Sequence, residues 1–167
     1  MSAAAAVKKS MGRTQITIAP AGDATLMTIA GEMDDQATLS ELSPSLSGKI
    51  IVDLGGVRFI NSVGVREWII FLHDLEEKKC KVVLRNCSER IVHQMNMVLE
   101  ARGDAEVESF HAPYVCDKCG AEHAISIQVA PNREQLLSFE IPTQTCPDCG
   151  GTMQFDDLPN RYLLFLS

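Results

Sequence analysis

The spacing of hydrophobic and polar positions changes several times along the chain, and each change predicts an element. Residues 14–19 alternate through Gln15, Ile16, Thr17 and Ile18, and residues 25–30 are strand-like again after Pro20-Ala21-Gly22-Asp23. The two runs predict a β-hairpin. Residues 37–42 read as a short helix closed by Ser43-Pro44. In Lys49-Ile50-Ile51-Val52-Asp53-Leu54 four of six residues are apolar, as in a central strand buried on both faces. From Ser62 the period becomes helical: Val65, Trp68, Ile69, Leu72 and Leu75 line one side, opposite Arg66, Glu67, His73 and Glu77. Residues 80–85 predict another strand. A second helix, capped by Ser88 and stopped by Gly103, buries Ile91, Val92, Met95, Val98 and Leu99, and residues 107–110 form a last strand.

A hairpin followed by strand-helix-strand-helix-strand predicts an α/β fold with a mixed sheet, its β-α-β connections being right-handed crossovers. Ala112-Pro113 marks the expected boundary. Residues 1–12 read as a disordered leader, 13–112 as the α/β domain, and 113–167 as a small β-rich module. The 167 residues, 46% of them hydrophobic, suffice for one ordinary core and an appendage.

Charge removes some functions from consideration. The net charge is −7; residues 1–111 hold 12 basic and 15 acidic side chains, residues 112–167 hold 3 and 7. Neither part is the basic surface that nucleic-acid binding requires. The apolar start precedes its lysines, the reverse of a secretory signal, and no segment approaches the ~18 apolar residues of a membrane span. The expected setting is cytoplasmic and reducing, where six cysteines favour metal over disulfides.

Four of those cysteines carry the strongest chemical signal. Cys116-Asp117-Lys118-Cys119-Gly120 and Cys146-Pro147-Asp148-Cys149-Gly150 are two Cys-x-x-Cys-Gly knuckles, with 26 residues between Cys119 and Cys146. Each spacing turns two sulfurs toward one ion, and each glycine can take the positive φ that completes the turn. Cys116, Cys119, Cys146 and Cys149 are therefore expected to hold one structural zinc ion, with a hairpin from residues 124–129 and 136–141 between the knuckles. Disulfides or a redox pair are the competing reading. His111 and His123 lie nearby, but four thiolates already fill a tetrahedron. Cys80 and Cys87 read as buried or incidental thiols.

The other candidate site is the entrance to the first helix. Ser62 is expected at its N-cap, where the hydroxyl would accept a hydrogen bond from a first-turn amide without any further role. The run Val52-Asp53-Leu54, Val57, Phe59-Ile60-Asn61-Ser62-Val63-Gly64, with Gly31-Glu32-Met33-Asp34 before it, resembles STAS domains, the sulfate-transporter and anti-sigma-factor-antagonist family. The resemblance extends from about residue 14 to residue 110. In bacterial members the motif is usually Asp-Ser-Ser-Gly or a close variant, and its first serine is phosphorylated by an anti-sigma kinase. Ser62 falls on that serine, while Asn61 replaces the aspartate and Val63 the second hydroxyl residue.

The resemblance implies a non-enzymatic signalling protein that binds an anti-sigma factor or another regulatory protein through Asn61, Ser62, Val63 and Gly64. Phosphorylation of Ser62 would release the partner. Gly64, lacking a side chain, would let the partner approach closely. The alternative is a fixed scaffold, such as a transport-associated STAS subunit, in which Ser62 is never modified. No P-loop, nucleophile elbow or zinc-protease motif occurs, and Asp34, Asp35 and Asp53 have no evident catalytic partner.

Overall fold

The computed structural model describes residues 5–167. Six strands, β1 (Val7–Met11), β2 (Thr14–Ala21), β3 (Ala24–Met33), β4 (Lys49–Ile60), β5 (Lys81–Arg85) and β6 (Glu106–Val107), lie side by side in sequence order. The first two pairings are antiparallel, and β3 to β6 are mutually parallel. The mixed sheet expected from the hydrophobic pattern is thus present.

The disordered-leader expectation needs correction. Residues 1–4 lie outside the described residues, but Val7–Met11 pairs with β2 from Val7 opposite Ile18 to Met11 opposite Thr14. A two-residue turn at Gly12-Arg13, with Gly12 at φ +60°, folds this segment back onto the hairpin. Lys8 and Lys9 make it a charged edge strand, which suits a sheet margin better than a free tail.

Helices α1 (Ser62–Glu77) and α2 (Glu89–Met97) cover one face of the sheet. Trp68, Phe71, Leu72 and Leu75 pack with Ile91, Val92 and Met95 against alternate strand residues such as Met27, Ile29, Val52 and Leu84. Among the described residues, the opposite face has a small cluster of Ala24, Ile51 and Val83, with Leu26 beside them. The first crossover is not a helix at residues 37–42 but two 3-10 turns, Leu39–Glu41 and Ser43–Ser45, with Leu39, Leu42 and Leu46 buried under α1. Pro44 fixes the start of the second turn. Helix α2 ends at Met97, before Val98 and Leu99, and Leu99 is left 84% exposed at a 3-10 turn.

Strand β7 (Ser109–Cys116) runs straight through the expected boundary at Ala112-Pro113. It forms a second sheet with β8 (Glu122–Gln128), β10 (Thr152–Phe155) and β9 (Gln144–Thr145), in the order β8-β7-β10-β9. Between β8 and β9 the chain forms helix α3 (Val129–Leu137) where a second strand was expected. Pro131 falls in its first turn, where proline is tolerated, and Arg133-Glu134-Gln135-Leu136-Leu137 are good helix formers.

The tail, α4 (Pro159–Tyr162) and a 3-10 turn at Leu164–Leu166, returns to α2. Asn96 donates from Nδ2 to the Tyr162 carbonyl at 2.9 Å and accepts at Oδ1 from the Phe165 amide at 2.8 Å. The Tyr162 hydroxyl donates to the His111 carbonyl at 2.5 Å. Phe110 meets Phe165 edge-on at 5.2 Å between ring centroids, and Phe155 meets Tyr162 at 5.3 Å. One hydrophobic core therefore extends from Ile16 to Phe165 and includes Tyr114, Ile127, Met153 and Tyr162. The second sheet is built into that core instead of hanging from it.

Candidate metal centre and helix entrance

Cys116 ends β7 and Cys146 follows β9, so two strands of one sheet present the two knuckles to each other. Both turns have the same backbone. The Gly120 amide donates to the Cys116 carbonyl at 3.0 Å, the Gly150 amide to the Cys146 carbonyl at 2.9 Å, and the glycines take φ of +74° and +75°. Open space surrounds both positions, so it is the backbone conformation that requires glycine.

The sulfurs of Cys116 and Cys149 lie 3.5 Å apart, those of Cys119 and Cys146 3.7 Å, and all four fall within 4.8 Å of one another. A tetrahedron of 2.3 Å metal–sulfur bonds has edges of about 3.8 Å. The cysteines are free thiols, not disulfides, and can bind a metal ion. Amides also point at the sulfurs: Cys119 and Lys118 donate to Cys116 Sγ at 3.4 and 3.3 Å, and Gly151 donates to Cys149 Sγ at 3.4 Å.

The Cys119 amide, helped by the Lys118 amide and opposed by burial, lowers the Cys116 thiol to about 6. Cys149 is pulled down by the Gly151 amide, yet contact with the other three thiols and burial push it up to about 12. Four thiols this close can all ionise only around a cation.

Beside the knuckles, His123 on β8 places Nε2 2.9 Å from Asp148 Oδ2, and these two groups form a second close set with Cys146. His111 has a packing role through its carbonyl. Cys87 is fully buried, and desolvation raises its thiol far above the ordinary range. Cys80 is partly buried.

At the helix entrance the N-cap is Asn61, not Ser62. Asn61 has extended backbone, φ −99° and ψ 179°, and its Oδ1 accepts from the Gly64 amide at 2.8 Å. Both residue types cap helices well; the outcome is decided by β4, which continues to Ile60 instead of ending near Leu54. Ile60 pairs with Met33, and the Asn61 amide then donates to the Met33 carbonyl at 3.1 Å. This brings together the two sequence pieces Gly31-Glu32-Met33-Asp34 and Phe59-Ile60-Asn61-Ser62.

Ser62 consequently occupies the first helical position with its side chain exposed, and Val63 is half-buried. Gly64 is buried. A Cβ there would stand 2.2 Å from the Met33 carbonyl oxygen, so the missing side chain makes room for β3 and not for an approaching protein. Exposed Arg66 lies one turn beyond Ser62 and forms no ion pair among the described residues.

A polar seam that sequence reading missed joins the two sheets. Asp53 accepts from the Gly55 amide and from Asn86 Nδ2, both at 3.0 Å. Asn86, at φ +51°, accepts in turn from Ser126 at 3.0 Å, while its amide donates to Ser109 at 2.8 Å. Asn86 reaches partners 23 to 40 residues away in sequence, so only an asparagine in a turn position hinted at the seam.

No helix among the described residues is long and apolar enough to cross a membrane. No curated protein matches the chain. The model of the STAS domain matches residues 8–100, more than half of the sequence, from the edge strand β1 past the end of α2. With β2 to β5, the two covering helices and the Met33–Asn61 junction inside that match, the chain belongs to the STAS-domain family.

Proposed function

We propose that this protein is a non-enzymatic regulatory adaptor of the anti-sigma-antagonist kind. The surface around Ser62 binds a regulatory protein such as an anti-sigma kinase, and phosphorylation of Ser62 releases it. The observation that carries this reading is the division of labour at the helix entrance: Asn61 does the capping, which leaves the Ser62 hydroxyl exposed and uncommitted. A phosphate there gains from the positive end of the α1 dipole and from Arg66 one turn on. A partner surface fitted to a neutral serine would have to desolvate that dianion without a matching cation. The binding surface consists of Asn61, Ser62 and Val63, with Gly64 shaping it from beneath.

The four cysteines hold one zinc ion in a closed, structural site. Support comes from the sulfur spacing, the paired knuckles and the all-thiolate donor set, which leaves no position for a substrate or water. The second sheet serves as a fixed extension of the binding body.

The test is affinity capture from the cells that make the protein, using wild type, Ser62→Ala and Ser62→Asp, with phosphate mapped by mass spectrometry. Ser62→Ala should retain the partner, Ser62→Asp should lose it by tenfold or more (~1.4 kcal/mol), and phosphate should map to Ser62. Equal capture by all three, with Ser62 unmodified, would favour a fixed scaffold instead.

A further inference from the structure

We infer that His123, Asp148 and the Cys146 sulfur form a second, solvent-facing site for a divalent transition-metal ion, sharing Cys146 with the four-cysteine centre. The inference rests on the reading of that centre as a loaded zinc site.

Geometry supplies the first argument. The imidazole, the carboxylate and the thiol each present a ligand atom within 4.8 Å of the other two. They come from separate segments: His123 from β8, Cys146 and Asp148 from the second knuckle. The donor set is nitrogen, oxygen and sulfur, which suits Zn²⁺ and its first-row neighbours and not Mg²⁺ or Ca²⁺. A thiolate keeps more than one lone pair and can bridge two ions. Three protein donors leave the fourth position to water, so this ion would exchange where the four-cysteine ion would not.

Charge supplies the second. Four thiolates around one dication leave a net charge of −2, and Asp117 and Asp148 add to it within the knuckles, with Lys118 the only nearby base in the same two turns. His123 also lines a separate cleft of about 320 Å³, together with Glu89, Glu122 and Asp156. That lining contains three carboxylates and no lysine or arginine. The carboxylates of that cleft favour cations on the approach to His123. A simple ion pair between His123 and Asp148, whose side chains are 34% and 56% exposed, would contribute little.

Native mass spectrometry of the intact protein, loaded with excess zinc or cobalt and desalted, counts the ions directly. Wild type should carry two ions, while His123→Ala and Asp148→Asn should each carry one. Cobalt should add a second absorption band only in wild type. The two substituted residues come from different segments, β8 and the second knuckle, and circular dichroism checks that each variant is folded. A single ion in wild type, or a second ion retained by both variants, would overturn the inference and leave the four-cysteine reading intact. No ion in wild type would overturn that reading and the second site with it.

Discussion

At the scale of single residues, the entrance of α1 is controlled by atoms that bear no charge. Asn61 caps the helix and Gly64 lets it lie against β3, so the two substitutions that matter act by different physics. Asn61→Ala removes one cap bond and should lower the free energy of unfolding by about 1 kcal/mol. Gly64→Ala forces a methyl group to within van der Waals overlap of the Met33 carbonyl, and should lower it by about 1–3 kcal/mol or more, because backbone and not a flexible side chain must move. Urea unfolding followed by the fluorescence of Trp68, the single tryptophan, measures both. A Gly64→Ala effect smaller than that of Asn61→Ala would show that β3 yields easily.

At the scale of elements, the tail is the piece whose importance its length conceals. A nine-residue stretch ending in Leu163-Leu164-Phe165-Leu166-Ser167 has no visible period, yet Phe165 is 3% exposed against Phe110, and Tyr162 bridges His111 and α2. Phe165→Ala should destabilise by about 3–5 kcal/mol, as expected for emptying a well-packed aromatic site. Tyr162→Phe should cost about 1 kcal/mol or somewhat more, since it leaves the His111 carbonyl without its donor. Thermal unfolding of the two variants distinguishes lost packing from a lost hydrogen bond; a near-neutral Phe165→Ala would mean that the tail is not held.

For the whole molecule, the shared core predicts that the four-cysteine half and the STAS half unfold together. Metal binding requires thiolates, so protons compete with the ion. An ion held by the four sulfurs should stabilise the folded state at neutral and alkaline pH, and that gain should be lost as pH falls and protons compete with the ion for the sulfurs. Acid titration from about pH 8 to about pH 5 should release the metal and shift Trp68 emission over the same range. Metal release with Trp68 unchanged would show two independent halves.

What the amino-acid order determined by itself was whatever local spacing encodes. The 3.6-residue period of Val65, Trp68, Leu72 and Leu75 located α1, and two Cys-x-x-Cys-Gly turns marked the four cysteines that the structure brings together, because each signal is complete within a few residues. The loop Asn61-Ser62-Val63-Gly64 was also visible, but not the roles within it. Asparagine and serine cap equally well, so the choice waited for β4 to run on to Ile60 and for the Met33 carbonyl to hold the Asn61 amide. Only tertiary structure could set α3 in place of a strand, recruit residues 7–11 as an edge, join Asp53 to Asn86, Ser109 and Ser126, and bring Phe165 back to Phe110. Those contacts are between segments whose individual preferences are weak, and burial in a common core decides between conformations that the local chain leaves nearly equal in free energy.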